Sequence, residues 1–165
     1  MARHPPSAMG SLSARRSSPD PCDGAPCGAR HAANRLRGAD AVLFGTPTRF
    51  GNPAGRLTAF IDTTGTLWFQ GKLADKVYSA FTASNTAHVG QESTLLALAN
   101  TSYHWGGIIV PPGYTDPVQF QSGNPYGTSY VAADGPPGEV ALQAARYQAR
   151  RVVEIAAILK AGRAA

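Results

Sequence analysis

An α/β fold, a doubly wound parallel sheet with helices on both faces, is predicted from three observations. Short apolar runs closed by glycine or proline recur at Ala41–Gly45, Val77–Thr82 and Gly107–Pro111. They lack the alternation of a half-exposed strand and suit strands buried on both faces. Each run leads through a glycine-containing loop toward apolar residues at helical spacing, and such strand-loop-helix repeats give parallel strands joined by right-handed crossovers. The 165 residues fit one ordinary domain.

Taken in order, Ala41–Gly45 is the first strand and Thr46–Gly51 its exit loop. Asn52 followed by Pro53 reads as an N-cap with proline at the first helical position, opening a helix that turns Leu57, Phe60 and Ile61 inward. Val77–Thr82 is the second strand, and Ala83–Gly90 is a polar loop that feeds a helix over Gln91–Tyr103 with Leu95 and Leu98 on one face. Gly107–Pro111 is the third strand, stopped by Pro111-Pro112-Gly113. A proline- and glycine-rich excursion then runs to Gly138, and loops of that length are usually functional. Glu139–Lys160 is an amphipathic helix with Val152, Ile155, Ala156 and Leu159 on its apolar stripe.

Charge divides the chain unevenly. Of the net charge of +5, residues 1–38 carry +4, from six basic and two acidic side chains. They also hold five of the 13 prolines, no aromatic residue and few large apolar groups. Such a segment has little to bury against the entropy of ordering, so residues 1–38 are expected to be a disordered basic tail and 39–165 the folded domain. An organelle transit peptide is disfavoured by the prolines. His4, Cys22, Cys27 and His31 do not have the spacing of a zinc finger, and no metal is expected. Arg15, Arg16, Arg30, Arg35 and Arg37 could give only salt-sensitive, nonspecific phosphate contacts, so nucleic acid is not an expected partner. No apolar run approaches the roughly 20 residues of a membrane span, and without a secretory leader the expected location is the cytoplasm.

Ligands of open parallel sheets bind beyond the carboxyl ends of the strands, where Thr46–Asn52 and Ala83–Gly90 must lie. Glycines there allow close backbone approach, hydroxyls and amides offer hydrogen bonds, Phe50 offers an apolar face, and Arg49 could meet an anion or an electron-rich carbonyl. The same residue types also form ordinary turns, so composition alone leaves both readings open. His104, between Tyr103 and Trp105, reads more readily as a packing residue than as a site residue on its position alone. Trp68 could plug an interface or stack on a ligand. No nucleophile elbow, Walker loop, metalloprotease helix or paired-carboxylate pattern occurs.

The run Ala41-Val42-Leu43-Phe44-Gly45-Thr46-Pro47-Thr48-Arg49-Phe50-Gly51-Asn52 closely resembles the signature segment of the WrbA-type NAD(P)H:quinone oxidoreductases, which are flavodoxin-like FMN proteins. The likeness continues through Phe60-Ile61-Asp62, Gly65-Thr66-Leu67-Trp68, Gly71-Lys72-Leu73, Gly90-Gln91-Glu92, Tyr103-His104-Trp105-Gly106, Pro125-Tyr126-Gly127 and Ala145-Arg146-Tyr147-Gln148, covering about residues 39–163. The resemblance implies that Thr48, Arg49 and Phe50 face the flavin ring, with Gly51 and Asn52 closing that loop. It implies a second flavin loop over Ala83, Ser84, Asn85, Thr86, Ala87 and His88, departing from the commoner Ser-Thr-Gly-Thr-Gly type. His104 then lies beside the flavin and Trp68 lines the quinone and nicotinamide pocket.

The implied activity is two-step: NAD(P)H reduces FMN and leaves, and a quinone is then reduced in the same pocket, the cofactor supplying the chemistry. Arg49 and His104 are the implied catalytic groups, stabilising negative charge, and the implied assembly is a homodimer or homotetramer. Family members begin with a strand and a Ser- and Gly-containing loop that cradle the FMN phosphate, and residues 1–37 show no counterpart. The expectation is therefore an N-terminally truncated flavodoxin-like fold whose first strand has an open edge. An inactive assembly subunit without tightly held FMN, and a regulatory nucleic-acid-associated protein, are the alternative readings.

Overall fold

The computed structural model describes residues 27–164, with side chains placed from Ala33 to Arg163. Helix α1 (Cys27–Gly38) leads into β1 (Ala41–Arg49), β2 (Asn52–Pro53), α2 (Gly55–Asp62) and α3 (Gly65–Phe69). Then come β3 (Val77–Ser84), α4 (Gln91–His104), β4 (Ile108–Ile109), α5 (Pro117–Ser122), β5 (Ser129–Val131) and α6 (Glu139–Ala164). The sheet order is β2-β1-β3-β4, with β5 also on β3. β1 and β3 run parallel from Ala41↔Val77 to Pro47↔Ala83, and β4 and β5 share the far edge of β3, parallel to it at Tyr78↔Ile109 and Thr82↔Ser129.

The sheet separates two cores because side chains alternate across it. Phe44, Tyr78 and Ala80 join Leu95, Leu98 and Trp105 on the face covered by α2, α3 and α4. Val77 joins Val110, Val152 and Ala156 on the face covered by α6. Neighbouring Val77 and Tyr78 thus lie in opposite cores, which is why β3 reads as an uninterrupted buried run. Tyr78 stacks 6.2 Å from Phe44 and meets Trp105 edge-on at 5.5 Å. Its hydroxyl donates to Leu73 O at 2.8 Å, and burial holds its pKa well above the usual tyrosine value, so it remains a donor.

Several elements differ from the sequence reading. β1 extends through Arg49, so Thr46 to Arg49 are strand, not loop. Asn52 and Pro53 do not start a helix; they pair antiparallel with Arg49 and Thr48 as β2. Pairing takes precedence because Phe50 (φ 51°) and Gly51 (φ 74°) make the doubly left-handed turn that fits a two-residue hairpin. The Asn52 amide consequently donates to Phe50 O at 2.9 Å, and α2 begins at Gly55 after Ala54, whose N–H donates to Thr46 Oγ1 at 3.0 Å. Leu57, Phe60 and Ile61 nevertheless face the core as expected.

Ala83 and Ser84 likewise belong to β3. The long excursion holds α5, capped by the Asp116 carboxylate accepting from Val118 N–H at 2.9 Å, and β5. Within the expected tail, α1 is helical and buries Leu36 in the aromatic core. Lys76 Nζ caps its end by donating to the carbonyls of Arg37 and Ala39. The expected lack of a leading strand and phosphate loop, and the positions of His4 and Cys22, lie outside the described residues. On the outer edge of β1, among the described residues, strand pairing is confined to Thr48 and Arg49.

Candidate functional site

The parallel register of β1 and β3 brings their C-terminal ends level, with Pro47 opposite Ala83. The hairpin over Arg49–Asn52 and the loop over Asn85–Gly90 therefore emerge side by side. They touch: a Cβ on Gly90 would lie 2.8 Å from Gly51 Cα, so two glycines back onto each other there. Ser93, on the first turn of α4, holds its single hydroxyl proton between Gly51 O at 2.8 Å and Gly90 O at 3.0 Å, so it can donate to a carbonyl of either loop.

Below them the threonines are occupied internally. Thr82 Oγ1 donates to Thr46 O at 2.7 Å and lies 2.9 Å from Thr48 Oγ1. A hydroxyl carries one proton, so Thr48 must donate to Thr82. Thr48 is buried, and its side chain fixes the strand pair beneath the loop. Arg49 and Phe50 are exposed above it, Phe50 completely. Among the described residues the ion pairs are Arg146–Glu139 and Lys160–Asp40, which leaves the Arg49 guanidinium available to a ligand. Phe50 is a bulky residue held at positive φ, a conformation that costs free energy and concentrates at functional sites.

In the second loop, Asn85, Thr86, Ala87 and His88 are exposed, while Ser84 is buried and Ala83 half-buried. Ser84 Oγ donates to Thr86 O at 2.7 Å and accepts from Gln91 Nε2 at 2.6 Å. Gln91 also donates to Tyr130 O at 3.1 Å, tying the loop to β5. Thr82, Gln91 and Ser93 were not singled out as site residues from sequence. Gln91 stood within the matched Gly90-Gln91-Glu92, but its role needs the position of β5, which no local pattern reveals.

Trp68 and His104 form a separate place. Trp68 Nε1 donates to His104 O at 2.9 Å, and both line an open cleft of about 250 Å³ with Ile61, Asp62 and Trp105. His104 is exposed and Trp68 half-exposed. This cleft lies at the opposite end of the strands from the two loops. α4 starts beside the loops at Gln91 and ends at His104, and its 14 residues span about 20 Å. Nearby, Asp75 N–H donates to Gly106 O just before β3 begins. Within one chain, then, Thr48–Asn52 and Ala83–His88 come together, and Trp68 and His104 come together elsewhere. Among the described residues no group of three or more His, Cys, Asp or Glu side chains is placed to hold a metal ion.

Known proteins are similar to this chain in sequence and in fold. The chain is 49% identical over 125 residues to a protein of Deinococcus radiodurans named NAD(P)H dehydrogenase (quinone), covering 75% of this chain and 62% of that one. It is 47% identical over 133 residues to a protein of the same name in Syntrophobacter fumaroxidans, covering 74% of this chain and 64% of that one. The chain thus spans less than two thirds of the length of these relatives. A crystal structure described as a flavodoxin, WrbA-like protein from Agrobacterium tumefaciens superimposes with a TM-score of 0.61 at 30% identity, over 74% of this chain and 69% of that one. The fold is therefore flavodoxin-like. The sequence pattern of the family described as NADPH-dependent FMN reductase matches residues 9–117, and the chain belongs to that family.

Proposed function

We propose that this chain serves FMN-dependent, two-electron reduction of quinones by NAD(P)H. The carrying observation is the pair of joined loops at the ends of β1 and β3, with Arg49 and Phe50 exposed above a locked threonine pair. The relatives named NAD(P)H dehydrogenase (quinone) support the reaction type. The donor set fits a flat, polar-edged aromatic ring: Phe50 supplies an apolar face, the exposed loop supplies amide and hydroxyl groups, and Arg49 supplies positive charge. FMN, when bound, supplies hydride acceptance and donation.

The protein's own part is positioning and electrostatics. Arg49 favours negative charge at the ring's polar edge, the rigid β1-β3 end fixes the approach, and the Gly51–Gly90 contact keeps the loops at constant spacing. Trp68 and His104 act at a flavin only when a second copy presents its cleft, because their own loops lie at the far end of the strands. The reading is accordingly of a homo-oligomeric enzyme of the cytoplasm. No described helix is long and apolar enough to cross a membrane.

Titrating the purified full chain with FMN and following flavin fluorescence tests the reading. Saturable quenching is expected in the wild type. Arg49→Ala is expected to weaken quinone turnover by about tenfold or more while the thermal midpoint stays unchanged. Absence of quenching in the wild type would leave the inactive assembly subunit as the better description.

A further inference from the structure

β3 lacks a continuous neighbour on its far edge: β4 stops opposite Tyr78 and β5 begins opposite Thr82. Two buried glutamine side chains serve this edge. Gln148 Oε1 accepts from Thr128 N–H at 2.8 Å, while Nε2 donates to Ala80 O at 2.8 Å and Ser79 Oγ at 2.7 Å, fastening the start of β5 to β3. Gln91 Nε2 donates to Tyr130 O in β5 and to Ser84 Oγ, and the Ser84 hydroxyl donates onward to Thr86 O. The directions are fixed by chemistry. Tyr130 O can only accept, so the amide nitrogen faces it, and Ser84 has given its single proton to Thr86. The result is one directed chain from a buried amide into the middle of an exposed loop.

We propose that Gln91 is a positioning residue that sets the shape of the second loop, Asn85–Gly90, and couples it to β5, which Gln148 holds in register. It acts on ligand affinity through Ser84 and Thr86. This inference rests on the flavin reading for its consequence, but the loop geometry can be measured without flavin.

Gln91→Glu is the informative substitution. An acidic residue in the first turn of a helix is electrostatically favourable, so α4 gains while the loop loses its donor. The ionised carboxylate meets Tyr130 O with no proton and draws the Ser84 proton away from Thr86. Limited proteolysis of the flavin-free full chain at pH 8 is expected to show protection over residues 85–90 reduced about tenfold, with β1 and α6 unchanged. Protection returns as the pH falls through the carboxylate range, because the neutral acid donates again.

Gln91→Asn, one methylene shorter, loosens the same loop with no recovery at low pH. In parallel, FMN affinity of Gln91→Glu falls about tenfold at pH 8 and recovers on acidification. Unchanged loop protection in both variants, or a loss spread equally over β1 and α6, overturns the proposal. A loosened loop together with a wild type that does not bind flavin supports the positioning role and overturns the flavin reading instead.

Discussion

Phe50 stands at φ 51° beside Gly51 at 74°, fully exposed at the tip of the β1-β2 hairpin. Asparagine followed by glycine is the favoured pair for this turn, and a phenyl ring there has neither a conformational nor a burial reward. Phe50→Asn is therefore expected to stabilise the protein by about 1 kcal/mol, raising the thermal midpoint by about 3 °C. The same change is expected to weaken FMN about tenfold through loss of the aromatic face. Calorimetry and flavin titration on one preparation check both signs, and a variant that loses stability contradicts the strained-tip interpretation. Arg49 and Phe50 were legible from sequence as candidate charged and aromatic surface at a strand end, and the structure places both exposed there. Thr48 was legible as present but not as occupied, because its partner Thr82 lies 34 positions away and only the β1-β3 register brings them together.

At the level of elements, β1, β3, α4 and α6 were readable because each carries an uninterrupted apolar run or a helical stripe. The Asn52-Pro53 cap misled because the same dipeptide satisfies a helix start and a hairpin return, and cross-strand pairing decided. β5 was hidden in the excursion because three residues carry no pattern of their own; it is fixed by Gln148 and by the close passage of Gly127 over β3. A Cβ on Gly127 would come 2.1 Å from Ala80 O, so Gly127→Ala is expected to cost about 2 to 4 kcal/mol in urea unfolding. At the other end of the sheet, Lys160 of α6 holds Asp40, just before β1, at 2.7 Å. The hydrogen bond and charge of Lys160 hold the Asp40 carboxyl below its ordinary pKa. A carboxylate with a depressed folded pKa contributes stability that is complete above its unfolded value and is lost as pH falls through the folded one. Asp40→Asn is thus expected to cost a small amount of stability at pH 7, where the contribution is complete, and to flatten the acid side of the profile so that the two proteins converge below about pH 4; the difference at pH 7 shrinks in high salt because the pair is exposed. Parallel unfolding curves for the two proteins down to pH 2 would remove that role from Asp40.

For the whole molecule, the decisive geometry is that the two halves of the expected site sit at opposite ends of the strands. These residues could be nominated from local motifs, but their separation could not, because α4 carries the chain the full height of the sheet between Gln91 and His104. A flavin on the Arg49 loop of one copy can meet Trp68 and His104 only from another, which makes the assembly testable by mixing. Arg49→Ala disables the loop end of a chain and Trp68→Ala disables the cleft end. In an equal mixture of the two dissociated and reassociated variants, half the dimers are hybrids, and each hybrid has one site built from two intact ends and one built from two defective ends. Quinone reductase activity is therefore expected to rise from the low level of either parent to about a quarter of wild type. The rise should fail when the variants are mixed without dissociation. Activity in the hybrid no higher than the parental mean places Trp68 outside the flavin pocket and returns it to the role of bracing the α4 terminus through its bond to His104 O.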